Sequence, residues 1–248
     1  MAGYKETPRQ KMIGMMYLVL TALLALNVSK DILEAFVVVN ESLVVTTENI
    51  QKKNNISYAN FEKQNLINPN KVGPFYKKAL QARYYANSLV QYIESLKKTI
   101  VGEAEGLDTA TAAKLPLRDV QKKDNYDIPT NFFIGQSQDG SKGKARDLKD
   151  SITSFKKRMK ALLKDTIGLN LGLLTEDTDN EIEGHVNWEM KNFYHLIMAG
   201  VVTNLNRIVS EVRNAEFDVV NSLYREISAE DFKFDKIDAK VVPKSSLS

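Results

Sequence analysis

The chain reads as an all-α protein: one apolar helix near the N-terminus, then a long bundle of about four helices. Three observations predict this. Met12 to Ser29 is eighteen residues without a charge, bracketed by Lys11 and Lys30. Beyond it, apolar residues recur at three- and four-residue steps over long stretches. Six prolines and twelve glycines in 248 residues leave room for long uninterrupted helices.

As a helix, Met12–Ser29 would rise about 27 Å, close to the roughly 30 Å hydrocarbon core of a bilayer. A cleaved leader needs small residues two apart before its cleavage point, and Ala22 and Ala25 are three apart. A buried core helix is seldom apolar on every side for this length. The stretch is therefore expected to be a retained membrane helix over residues 12–30. Lys5, Arg9 and Lys11 precede it, so the tail 1–11 is expected in the cytoplasm and the remainder across the membrane. In a bacterium with two membranes that compartment is the periplasm.

Composition excludes several classes. Formal net charge is +3, and part of it sits in the short N-terminal tail. The exported part is nearly neutral, which argues against a general nucleic-acid binder. There is no cysteine, hence no disulfide, thiolate catalysis or cysteine-ligated metal.

Residues 31–228 are expected to form the helical bundle. Ile32, Phe36, Val39, Leu43, Thr46 and Ile50 follow a 4-3-4-3-4 spacing, a heptad-like seam. Ile32, Phe36, Val39 and Leu43 are the expected dimer contact. Asn65–Pro74 carries turn chemistry, with asparagines, two prolines and Gly73. Pro74 is expected to open a second helix whose apolar face holds Leu80, Leu89, Ile93, Leu96 and Ile100, with Gly106 as its stop. Tyr84, Tyr85 and Tyr92 fit packing at its boundary.

Leu107–Lys144 reads as irregular, with Asn131–Ile134 tucked into the core as a short extended piece. Ala145–Ile167 is expected as a third helix, burying Leu148, Ile152, Phe155, Met159, Leu162 and Leu163. A fourth is expected from about Asn187 to Ile227. Residues 229–248 read as an extended linker or the start of a further domain, from the alternation at Phe232 and Phe234 and from Pro243.

No catalytic constellation emerges. His185 and His195 are ten apart, which suits neither i,i+3 nor i,i+4 placement. No metalloprotease, serine-hydrolase or phosphate-loop motif occurs. In the acidic loop Glu176–Glu183, Ile182 sits where a calcium loop needs glycine, so no metal is expected. The bases Lys142, Lys144, Arg146, Lys149, Lys156, Lys157, Arg158, Lys160 and Lys164 crowd the third helix and its approach. They read as its solvated back.

The opening PRQKMIGMMYLVLTALLALNVS with its continuation DILEAF resembles the N-terminus of the GldM (PorM) family of gliding-motility and type IX secretion components from Bacteroidetes. The resemblance extends loosely through the helical region. It implies a non-enzymatic inner-membrane motor component without cofactors. It also implies a homodimer whose membrane helices sit in a ring of GldL-like helices driven by the proton gradient. Further β-rich periplasmic domains would follow, reaching GldK/GldN-like components. The resemblance marks Arg9 as the candidate partner of a GldL carboxylate. The uncharged span holds no acid of its own, so any proton relay there must use a partner's. Beside Arg9, the candidate partner-binding residues are Lys11, Tyr17, Thr21 and Asn27; for the last three, backbone-directed bonding is the alternative. The competing reading is an anchored helical-bundle sensor or scaffold that binds a ligand or envelope partner.

Overall fold

The computed structural model describes residues 7–26, 30–137, 139–164, 170–180 and 184–235. The first helix, α1, spans Pro8–Leu26. Thr7 and Gln10 form a reciprocal cap at its start. The Thr7 N–H donates to Gln10 Oε1 at 3.0 Å and the Gln10 N–H to Thr7 Oγ1 at 3.4 Å, with Pro8 at the first helical position. Its described apolar side chains, up to Leu20, are exposed all round: Met12, Met15, Tyr17 and Leu18 are each about two-thirds accessible or more. Among the described residues no helix is long and apolar enough to cross a membrane.

Three long helices build the domain: α2 (Lys30–Ile67), α3 (Pro69–Glu105) and α8 (Met198–Asp235). α8 packs along both α2 and α3, and α2 also packs on α3. The buried row of α3 is Val72, Phe75, Ala79, Ala82, Ala86, Leu89, Ile93, Leu96 and Ile100. These alternate at three and four residues, so one stripe faces the partners throughout. Its upper half uses alanine, which lets helix axes approach closely. Leu80, expected on this face, is instead 40% exposed beside that alanine row.

The turn expected over Asn65–Pro74 shrinks to Asn68. Its side chain accepts from the Lys71 N–H at 3.2 Å and Pro69 takes the first helical position, so the second long helix starts there. Pro74 lies inside α3 rather than opening it. Gly106 ends α3 at φ 70°, as expected, its N–H donating to Gly102 O.

Between α3 and α8 the chain makes a second layer. It contains α4 (Thr109–Ala112), a 3-10 turn (Leu117–Asp119), α5 (Asp127–Phe133), α6 (Lys144–Ala161), the hairpin β1 (Thr178–Asn180) and β2 (Gly184–Val186), and α7 (Trp188–Phe193). The strands pair antiparallel, with Asp179 opposite His185. Asn131–Ile134 reaches the core, yet as the end of α5 and its following turn, not as an extended piece. Phe133 stacks on Phe193 at 4.3 Å and Trp188 meets Phe193 edge-on at 5.6 Å. This aromatic cluster joins α5 to α7. Gly143 leads into α6 where the chain crosses the end of α5; a Cβ there would lie 1.9 Å from Phe133 O, so only glycine fits.

α6 buries Leu148, Ile152, Phe155 and Met159 as expected, but ends at Ala161. The rest of its expected course, through Ile167, reaches beyond the described residues.

The expected helix from Asn187 to Ile227 is two helices. His195 adopts φ 48° in the break. The first N–H groups of α8 find carbonyls on the α3–α5 excursion: Met198 N–H donates to Asn125 O at 2.8 Å and Ala199 N–H to Lys123 O at 2.9 Å. A continuous helix would satisfy those donors internally; here the loop does so and the axis is free to turn. α8 then runs on through Phe232 and Phe234 to Asp235, where extended chain was expected. Residues 236–248 lie outside the described part.

Candidate functional site

The residues singled out from sequence fall on two surfaces. On α1, Arg9, Lys11 and Tyr17 are exposed. The Thr21 hydroxyl donates to Tyr17 O at 2.6 Å, the backbone-directed bond weighed as its alternative role. Asn27 lies outside the described residues.

On α2, Ile32 and Val39 are half-exposed, while Phe36 and Leu43 are partly covered. The neighbouring row enters the domain: Val37, Asn40, Ile50, Asn54, Tyr58 and Phe61 are buried. Ile50, placed on the outer seam by its spacing, belongs to this inner row. The outward face keeps Ile32, Val38, Val39 and Val45 accessible side by side, an apolar strip without cover. Arg118, from the 3-10 turn, grips the edge of that strip. Its Nε and Nη2 bind Glu41 at 2.8 and 3.0 Å, and its Nη1 binds Glu34 at 2.9 Å. The Arg118 hydrogen bond holds the Glu41 carboxyl below its ordinary value. The pair is exposed, so it orients the turn more than it stabilises the fold. Between α2, α3 and the turn lies a groove of about 390 Å³, with Val44, Val101, Leu115 and Val202 on its walls and Lys98 at its rim.

Apolar spacing did not reveal a polar seam between α2 and α8. Asn206 Nδ2 donates to Asn40 Oδ1 at 2.6 Å, and Lys97 of α3 donates to Asn206 Oδ1. Thr203 Oγ1 lies 2.7 Å from Ala199 O and 3.3 Å from Phe36 O. Lower down, Glu216 is fully buried. Tyr58 OH donates to its Oε1 at 2.9 Å; Arg213 Nη1 and Asn54 Nδ2 donate to its Oε2 at 2.8 and 3.3 Å. Arg213 also donates to Asn87 Oδ1 at 2.8 Å, tying α3 into the network. Burial pushes the Glu216 carboxyl above its ordinary range, against the pull of Arg213. Burial, with the Glu216 charge second, likewise raises the Tyr58 phenol. The sequence trace of this seam is a polar residue at heptad-like positions, Asn40 and Asn54 on α2.

The basic surface of α6 is extensively paired. Arg146 and Lys149 reach buried Glu189 at 3.1 and 3.2 Å, Lys149 also reaches Asp177 at 2.7 Å, and Lys156 meets Glu176 at 3.5 Å. Asp177 further accepts the Trp188 N–H at 2.9 Å. These acids of the 176–183 loop thus fasten the hairpin to α6 and α7. Among the described residues no group of His, Cys, Asp or Glu is placed to hold a metal ion. His195 packs edge-on against Tyr194, and no second histidine joins it among the described side chains.

Fold and surfaces define a class: a helical-bundle domain with polar rungs inside, an apolar strip outside and an exposed apolar helix ahead of it. Residues 31–226 match the GldM N-terminal domain, and the chain belongs to that family, a component of gliding motility and type IX secretion. A comparison with curated proteins found no match.

Proposed function

We propose that the chain is a non-enzymatic motor component that couples the proton gradient to periplasmic movement, driving type IX secretion and gliding. In this reading residues 12–30 anchor it in the inner membrane, the N-terminus is cytoplasmic and the bundle is periplasmic. A GldL-like ring surrounds the anchor. Two copies meet through Ile32, Phe36, Val39 and Leu43, and further domains of the family carry motion towards GldK/GldN-like components. The observation that carries it is α1: its apolar side chains from Met12 to Leu20 are exposed on every side, ahead of a domain that matches the family. Such a helix needs an apolar surround, which lipid or partner helices supply. Asn27–Ser29, the last part of the uncharged stretch, lies outside the described residues.

Arg9 tests the coupling. Its guanidinium can make a forked pair with a carboxylate, which lysine reproduces poorly. Arg9→Lys and Arg9→Ala cells should insert the protein at normal levels and lose secretion and gliding. Breaking a desolvated pair costs about 3–5 kcal/mol, an exposed one about 0–1. Wild-type movement in both variants would leave Arg9 as a topology residue and refute the coupling role.

The dimer has its own check. Single cysteines at Phe36 or Val39 should form a disulfide-linked dimer in membranes, because residues 1–248 hold no competing thiol. A chain that stays monomeric, with no crosslink at Ile32, Phe36, Val39 or Leu43, would remove this strip as the contact.

A further inference from the structure

α3 and α6 enclose an open groove of about 350 Å³. Leu89 and Phe155, both buried, form its floor. Two half-buried tyrosines of α3, Tyr85 and Tyr92, line it one heptad apart, about 10 Å along the axis. Across from them, α6 supplies Asp150 and Arg158, two turns or about 12 Å apart.

Arg118, Arg146, Arg207 and Arg213 each hold a carboxylate, whereas Arg83 lies over the Tyr58 ring at 4.9 Å. Arg158 has none among the described residues; it lies over the Tyr85 ring at 5.5 Å, a stack that orients the guanidinium and leaves its N–H donors unused. No hydrogen bond is made by the hydroxyls of Tyr85, Tyr92 or Ser154 among the described residues, in contrast with Tyr58. Burial, with Asp147 second, pushes the Tyr92 phenol up, so it stays an O–H donor at neutral pH. Asp150 has only a 3.8 Å approach from Arg146. Ser88 and Ser151 donate to backbone carbonyls of their own helices, at 2.9 and 2.7 Å, and keep acceptor capacity towards the groove.

We propose that this groove is a saccharide-binding site that takes an acidic disaccharide, with one pyranose ring on Tyr92 and the carboxylate of its neighbour on Arg158, above Tyr85. The chemistry matches part by part. The C–H face of a pyranose packs on the Tyr92 ring while its hydroxyls meet polar edges, and the spacing to Tyr85 brings the next sugar to the stacked guanidinium. A free, stacked guanidinium selects a carboxylate. Asp150 and Ser154 offer an acceptor and a hydroxyl for ring hydroxyls. The apolar floor and open rim suit a ligand that is partly wetted in its bound state. An acidic peptide would use Arg158 as well, but would leave the Tyr92 ring and the hydroxyls without a reason.

The site is tested by calorimetric titration of the full-length chain with three probes: the disaccharide of glucuronic acid and N-acetylglucosamine, neutral diacetylchitobiose, and triglutamate. The acidic disaccharide should bind saturably at millimolar concentration or below, and more tightly than either other probe. Arg158→Gln should weaken it about tenfold, the loss of a charge-assisted contact, while hardly changing the neutral sugar. Asp150→Asn should weaken both sugars. Both substitutions are at exposed positions, and circular dichroism would confirm an intact bundle. No saturable binding of the acidic disaccharide, equal binding of the neutral one with Arg158→Gln indifferent, or tighter binding of triglutamate would each overturn the assignment.

Discussion

Glu216→Ala is expected to lower the unfolding free energy by about 3–5 kcal/mol, because it leaves Arg213 charged inside the domain without its carboxylate. The Tyr58 hydroxyl and the Asn54 amide lose an acceptor at the same time. Glu216→Gln should cost much less: its amide oxygen still accepts from Arg213 and Asn54, and its NH₂ can donate to the Tyr58 oxygen. The two substitutions also separate charge from packing through pH. Burial raises the Glu216 carboxyl above its reference value of 4.5. A group whose pKa rises on folding contributes stability fully present below its unfolded value, and that contribution is lost as pH rises through its folded value. Wild type should therefore lose stability relative to Glu216→Gln as pH climbs from about 4.5 upward. Urea titrations of both proteins across pH 4 to 8 measure that difference. A gap that does not change with pH would show that the Glu216 carboxyl titrates alike in the folded and unfolded chain, and the upward shift would be wrong.

Phe193→Ala should also cost about 3–5 kcal/mol. Phe193 is completely buried; its ring stacks on Phe133 to bind α5 to α7 and meets Trp188 within α7. Removing the ring opens a cavity against Phe133 and Trp188, both fixed by neighbours that cannot follow. Trp188 is the chain's single tryptophan, and its Nε1 donates to Leu174 O at 2.8 Å. Its fluorescence thus reports the cluster directly. Denaturant titration should show a lower midpoint, with native emission shifted to the red as water reaches the indole. Phe193→Leu, which fills most of the volume, should fall between. A cost under about 1 kcal/mol for the alanine variant would mean that α7 collapses onto the gap and does not depend on this ring.

A bundle stabilised only by apolar rows admits small slips of one helix along another. Asn40 with Asn206, and Glu216 with Asn54 and Tyr58, allow one register only, since a shift strands buried donors and acceptors. For a domain proposed to transmit movement, fixed register keeps α2 and α8 from sliding under load.

By itself the sequence determined the all-α class, the long helices and most of their inward faces. Apolar periodicity suffices for that, because a helix must bury one stripe: Leu89, Ile93, Leu96 and Ile100 on α3, and Leu148, Ile152, Phe155 and Met159 on α6, lie where their spacing put them. Gly106 was legible as a helix stop for an equally local reason, its freedom to take positive φ. The uncharged stretch and the residues that carry the family resemblance were also local. Tertiary structure alone decided the rest. The break before Met198 depends on carbonyls of Lys123 and Asn125, some seventy residues away in sequence. Pro69 rather than Pro74 begins α3 because Asn68 caps it. Which row of α2 turns inward was settled by polar partners on α8, so Asn40 and Asn54 are buried while apolar Ile32 and Val39 stay outside. The acids of the 176–177 segment were spoken for by Lys149 and Lys156, and Arg158 was left over. Hydrophobic spacing reports burial of apolar surface; it is blind to a polar group whose burial is compensated by a partner brought close only by the fold.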